Sequence, residues 1–193
     1  MKLIITTAVS LFLLVGTLQA QHANLGVKAG LNTYTLKGDG MSNVDRKLGY
    51  HLGLIGHIHF SDQFALQPEL VYSVQGAQYS VSGAELKLNL NYFNVPVLFQ
   101  YMFDNGFRLQ AGPQLGFLAS AKSVFNNSES NVKDDFEKID LGLSVGASYV
   151  NPATNFGVDV RYNAGLNNIN KSSNADIYNR GWQVGLFYLF NHN

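Results

Sequence analysis

Residues 140–150, DLGLSVGASYV, alternate without a break. Leu141, Leu143, Val145, Ala147 and Tyr149 fall on one side, and Asp140, Gly142, Ser144, Gly146 and Ser148 on the other. A period of two belongs to a β-strand, whose successive side chains point to opposite faces. One face is apolar and the other is small and polar. A soluble barrel would keep the leucines in its core, whereas a membrane barrel would turn them to lipid.

The same alternation recurs along the chain, broken by two kinds of connection. Short turns lie at SDQ (61–63), DNG (104–106) and NPAT (151–154). Long polar loops are expected near residues 33–47, 76–87, 121–137 and 167–179. The pattern predicts an all-β fold: an eight-stranded antiparallel up-and-down transmembrane β-barrel, with tight turns at one end and long loops at the other. A three-residue hairpin loop keeps its flanking residues on one face, as Phe60 with Phe64 and Phe103 with Phe107 require, and Gly106 suits the left-handed position of such a loop. Bulges are expected near residues 151–154 and at Tyr92–Phe93, where the parity of the apolar residues changes. Pro68, Pro96 and Pro113 fall inside expected strands, where proline weakens the ladder.

Sorted by parity, the two faces differ in kind. The apolar face runs through Leu25, Val27, Ala29 and Leu31, through Tyr50, Leu52 and Leu54, and on to Trp182, Val184, Leu186, Tyr188 and Phe190. It carries no charge in these spans. The opposite face carries Gly26, Gly30, Gly49, Gly53 and Gly185, with Gln67, Gln100, Gln110, Gln114 and Gln183 among its polar residues. As a soluble exterior this face is too rich in glycine; as the inside of a narrow barrel, glycines leave room that a few long polar chains fill. Aromatic residues gather near the short turns, as at a membrane interface. The apolar face is therefore expected to meet lipid.

The ends and the composition agree. Lys2, the uncharged stretch LIITTAVSLFLLVG and the LQA at 18–20 read as an export signal over residues 1–20, leaving 21–193 as the barrel domain. There is no cysteine, which excludes disulfides and a lipid-modified cysteine. Without Lys2 the Lys and Arg count falls from 13 to 12 against 13 acidic residues, a net charge of −1 that offers no basic face for nucleic acid. Charged residues make up 13% of the chain, half the roughly 25% of ordinary soluble domains. An even strand number puts both termini on the short-turn side, the periplasm of a bacterial outer membrane. The last strand ends in Phe190, and this resembles the aromatic assembly signal of outer-membrane barrels, which implies the barrel assembly machinery as a partner.

Six blocks fall in order: GVKAGLN (26–32), LQPELVYSVQG (66–76), YFNVPVLFQYMF (92–103), GPQLGFL (112–118), DLGLSVGASY (140–149) and RYNAGLNNI (161–169). Together they resemble the outer-membrane β-barrel domain common in Bacteroidetes, often called PorT-like, over about Ala23 to Phe190. The resemblance implies an outer-membrane barrel without an assigned activity.

The expected lumen charges are Lys28, Arg108 and Arg161 against Glu69, Asp140 and Asp159. They cancel, whereas an ion-selective pore calls for a ring of one sign. A salt-bridge network plugging the lumen follows, since a buried charge without a partner is costly. Asp140 is expected to pair with the lumenal arginines. His57 and His59 share a strand face with His51, a metal-ligand pattern without a tight carboxylate or cysteine partner; lumenal hydrogen bonding is the expected role, with no metal and no cofactor. Neither G-x-S-x-G nor H-E-x-x-H nor a P-loop is present, so no enzyme is expected. Outer-membrane lipid is the expected partner, together with an envelope or extracellular protein reached through the long loops. A component of solute transport or protein secretion is the alternative reading, a lipid-modifying enzyme the next, and a soluble lipocalin-like binder the alternative fold.

Overall fold

The computed structural model describes residues 23–38, 44–81, 84–126, 128–172 and 175–190; the expected export signal lies outside them. The strands are β1 (Ala23–Gly38), β2 (Val44–His59), β3 (Phe64–Val81), β4 (Ala84–Met102), β5 (Phe107–Phe125), β6 (Ser128–Asn131), β7 (Ile139–Val150), β8 (Phe156–Gly165) and β9 (Ile177–Leu189). They hydrogen-bond in the order β4-β3-β2-β1-β9-β8-β7-β5-β6, and a further β4–β5 pairing closes the ring. β6 is a short return strand on β5; the other eight form a closed antiparallel barrel.

The face question is decided within β7. Leu141 is 50% exposed and Val145 50%, while Asp140 is 7% exposed and Ser144 0%. The leucines point out and the small polar residues in. All the short turns form, and Gly106 takes φ +86° in the second. At residues 151–154 no bulge is needed. The β7–β8 register runs unbroken from Gly142↔Gly165 to Val150↔Gly157. Asn151 N donates to Phe156 O, and Asn155 turns the chain at φ +60°. An even loop exchanges parity by itself.

A register irregularity does fall at Tyr92, as expected, but its extra residue is not in β4, and the change of parity along β4 has a different cause. β4 stays in one register with β3 from Phe64↔Tyr101 to Val81↔Ala84. The irregularity falls in the β4–β5 ladder, where Asn91 faces Ser120 but Tyr92 faces Leu118, so the extra residue is Ala119 of β5. Along β4 the same parity stays inward throughout: Leu88, Leu90, Tyr92, Asn94, Leu98, Gln100 and Met102 are all buried. What changes is the surroundings. Below Phe93 the outward residues are Val95, Val97, Phe99 and Tyr101; above it they are Glu85, Lys87, Asn89 and Asn91. The lower part is apolar outside and polar inside, as lipid demands. The upper part is polar outside and apolar inside, as water demands.

Strand length explains why both regimes fit in one chain. β4 and β5 have 19 residues each, ~60 Å at ~3.3 Å per residue, and at a tilt of ~40° they rise far beyond an apolar band of ~25 Å. Two aromatic belts bound that band. The lower one links Phe64, Phe99, Tyr101, Phe103 and Phe107 through ring contacts of 4.9–5.7 Å, and continues through Phe156, Tyr188 and Phe190. The upper one holds the pairs Tyr72–Phe93 at 5.3 Å and Tyr162–Trp182 at 5.0 Å. The expected long loops are accordingly mostly strand: β1, β3, β4 and β5 run on through segments read as loop because their outward residues are polar. The prolines sit within the ladders, Pro68 facing Val97, Pro96 facing Gln114 and Pro113 facing Leu143.

Candidate functional site

The lumen between the belts is filled from opposite walls. β3 and β8 lie four strands apart either way round the ring. Arg161 of β8 reaches across to Glu69 of β3, with Nη1 donating to Oε2 at 2.9 Å and Nη2 to Oε1 at 3.0 Å. The guanidinium fork matches the carboxylate geometry, which makes this the strong form of the interaction. Lys28 of β1 stands between two acids, with Nζ 3.4 Å from Glu69 Oε2 and 3.2 Å from Asp159 Oδ2. Asp159 also meets Arg161 Nη2 at 3.2 Å. Two cations and two anions thus form one buried tetrad, every side chain no more than 2% exposed.

Hydrogen bonds extend it toward the short turns. Gln67 Nε2 donates to Glu69 Oε1 at 2.7 Å, and Gln100 Nε2 donates to Gln67 Oε1 at 3.0 Å and Gln110 Oε1 at 2.7 Å. His57 and His59 form a separate group with Arg108. Their Nε2 atoms are 3.3 Å apart, the rings stand edge-on, and Arg108 Nη1 is 3.5 Å from His57 Nε2. Among the described residues no three His, Cys, Asp or Glu side chains come together in a way that could hold a metal ion. A guanidinium beside the imidazole pair repels a cation as well.

Asp140 is not where the charge count put it. It lies toward the long-loop end, accepting at Oδ2 from Asn179 Nδ2 at 3.2 Å, and among the described residues it makes no ion pair with an arginine. Asn179 also donates to Gln75, and Gln75 Nε2 donates to Ser73 Oγ at 3.1 Å. Charge balance over the lumen is therefore not pairwise, because register sets Asp140 against Gly116 and Arg108 against Ser148 of the same strand pair, far apart along the axis.

Both mouths of the lumen are apolar, which the sequence reading missed. Toward the long loops, Leu36, Ala77, Leu88, Leu90, Tyr92, Leu118, Ala121 and Ile169 form one buried cluster, with Val132 and Phe136 packed on it. Toward the short turns, Ile55, Val150, Phe187 and Leu189 form a second. A Cβ on Gly157 would stand 2.3 Å from the Phe187 ring, so only glycine lets that ring lie flat against β8. The signal was present in the sequence: Ile55, Phe187 and Leu189 are large apolar residues at lumen parity close to strand ends.

Beyond the cap, β6 pairs with β5 from Phe125↔Ser128 to Lys122↔Asn131, and all four of its residues are exposed. Lys122 Nζ donates to Glu129 Oε2 at 2.8 Å, a bond that raises the ammonium above its ordinary pKa. Beyond β6, Val132 and Phe136 pack their side chains on the cap, and the backbone of Glu137 and Lys138 bonds to Ile169 and Leu118 of it. Deleting 128–131 is accordingly expected to leave the heat-dependent electrophoretic shift of the folded barrel intact. Phe136→Asp should lower the temperature of that shift, by putting a charge against the buried cluster.

The outer membrane protein beta-barrel domain family matches residues 19–171. Among solved structures, Neisserial surface protein A has 16% identity and a TM-score of 0.57, over 88% of this chain and 100% of that one. The attachment invasion locus protein Ail of Yersinia pestis has 17% identity and a TM-score of 0.55, over the same shares. At such identities the likeness is one of fold. No curated protein sequence matches the chain. With a family match over most of its length, a closed eight-stranded ring and a lipid-type exterior, the chain belongs to the outer membrane protein beta-barrel domain family.

Proposed function

We propose that this protein is a closed outer-membrane barrel whose interior is a structural strut and whose contacts with other molecules are made by the wall and loops beyond the upper aromatic belt. The observation that carries the reading is the bidentate Arg161–Glu69 pair spanning the bore, with an apolar cluster at each mouth. An ion crossing this lumen would have to displace a charge-balanced buried tetrad and pass two apolar constrictions. Single purified barrels in a planar bilayer are expected to show no stable conductance. Long-lived open channels would overturn the reading and favour solute transport.

The long-loop end is read as facing the outside, with both termini periplasmic. Charge supports this: every lysine and arginine outside the lumen, among the described residues, lies toward the long loops, while the short turns carry Asp62 and Asp104. The role is non-catalytic in this reading. Within the wider family, the ordered blocks from GVKAGLN to RYNAGLNNI support placement with the PorT-like barrels of Bacteroidetes, and the contact made beyond the belt is with an envelope or extracellular protein.

A further inference from the structure

His51 is 1% exposed, and among the described residues neither of its ring nitrogens has a hydrogen-bond partner. Asp159 is 2% exposed. Its Oδ2 serves Lys28 and Arg161, while its Oδ1 has no partner among the described residues. Buried polar groups in native proteins are hydrogen-bonded, because one left unmade carries its full desolvation cost.

Register sets these two side chains toward each other across a pair of glycines. His51 of β2 pairs with Gly30 of β1, Gly30 with Gly185 of β9, and Gly185 with Asp159 of β8. The four residues form one row on the inner wall. The imidazole reaches over both glycines, for a Cβ on Gly30 would stand 2.8 Å from its Cε1. A Cβ on Gly185 would stand 2.9 Å from His51 Nε2, 2.9 Å from Asp159 Oδ1 and 3.2 Å from Ala29 O. Such distances are too short for carbon, yet they are the ordinary separations of hydrogen-bonded nitrogen and oxygen. The space beside the Gly185 Cα is thus ringed by one nitrogen and two oxygens, and glycine keeps a side chain out of it.

Charge narrows what this ring can hold. A cation is opposed by Lys28 and Arg161, which sit on the other oxygen of Asp159. An anion is opposed by Asp159 itself. A small neutral molecule that both donates and accepts suits all three atoms. Buried waters have this character, making about three hydrogen bonds each to polar groups that lack other partners. We infer that the lumen binds a structural water beside Gly185, accepting from His51 Nε2 and donating to Asp159 Oδ1 and Ala29 O. The water ties His51 to the ion tetrad and holds the free oxygen of Asp159 in place. This deepens the reading of the lumen as a strut and rests on it; the bilayer conductance measurement tests that reading separately.

The test pairs two substitutions with one structure. Gly185→Ala puts a methyl group at the water site and offers no hydrogen bond. Gly185→Ser is larger, but its hydroxyl can take over the bonds to His51 and Asp159. The temperature of the heat-dependent mobility shift is expected to fall by roughly 5 °C in the alanine variant and to stay closer to wild type in the serine variant. A glycine required for space alone predicts the opposite order, because serine is the bulkier residue. Serine no better tolerated than alanine would overturn the proposal. A high-resolution crystal structure of the wild-type barrel is expected to show a water within hydrogen-bond distance of His51 Nε2 and Asp159 Oδ1. Clear density for both side chains with no water between them would overturn the proposal even if neither variant folds.

Discussion

Glu69→Ala is expected to cost about 3–5 kcal/mol of folding free energy. The carboxylate touches Arg161 through two hydrogen bonds and Lys28 through a third contact. Its removal leaves Asp159 to serve two cations in a bore that excludes bulk water. One positive charge then stays buried without compensation, and desolvation rather than the lost attraction sets most of the cost. The signature is non-additivity. Glu69→Ala with Arg161→Ala leaves Lys28 matched to Asp159, so the double variant should lose clearly less than the two single variants summed, by 0.5–3 kcal/mol or about that. Urea unfolding of the reconstituted barrel measures this through Trp182, the one tryptophan of the chain and a lipid-facing one at 44% exposed. A loss below about 1 kcal/mol for Glu69→Ala would mean the tetrad does not bear on stability.

Leu186→Lys is expected to cost about 2–4 kcal/mol, while Gln78→Lys should change stability by less than about 0.5 kcal/mol. Both positions point outward. Leu186 of β9 is 65% exposed, midway in the chain between Trp182 and Phe190, and its ladder partners are Ala29 and Val158. Gln78 is on the same kind of face of β3, above Tyr72, bonded to Glu85 at 3.0 Å and paired with Asp45 on β2 and with Lys87 on β4, so that Asp45 and Glu85 offset the like charge of Lys87. A lysine there finds carboxylates and water; at Leu186 it finds acyl chains. Similar costs at the two positions would show that the polarity inversion at Phe93 does not mark the membrane boundary.

Lipid made part of this fold legible residue by residue. Every outward position between the belts has to be apolar, so Leu141, Leu143 and Val145 announce their face without any knowledge of partners, and Gly106 announces its turn by the φ it must adopt. The same logic failed above Phe93. Leu88 and Leu90 look like the leucines of a lipid face, yet both are buried inside. Alternation says that two faces differ but not which solvent each one meets, and the solvent changes from lipid to water along β4.

Partner choice in the lumen was legible only in part. Strand parity placed three positive and three negative residues on the inward face. Which carboxylate meets which cation depends on closure of the ring. That closure sets β8 opposite β3 and brings Arg161 to Glu69, ninety-two residues away in the chain, while leaving Asp140 to Asn179. The sequence by itself determined the strands, their turns and the lipid-facing surface, since each is imposed locally by backbone geometry or by the bilayer. Only the tertiary structure decided the ion tetrad, the apolar caps and the height at which the barrel leaves the membrane, because each depends on contacts across the bore that no local pattern specifies.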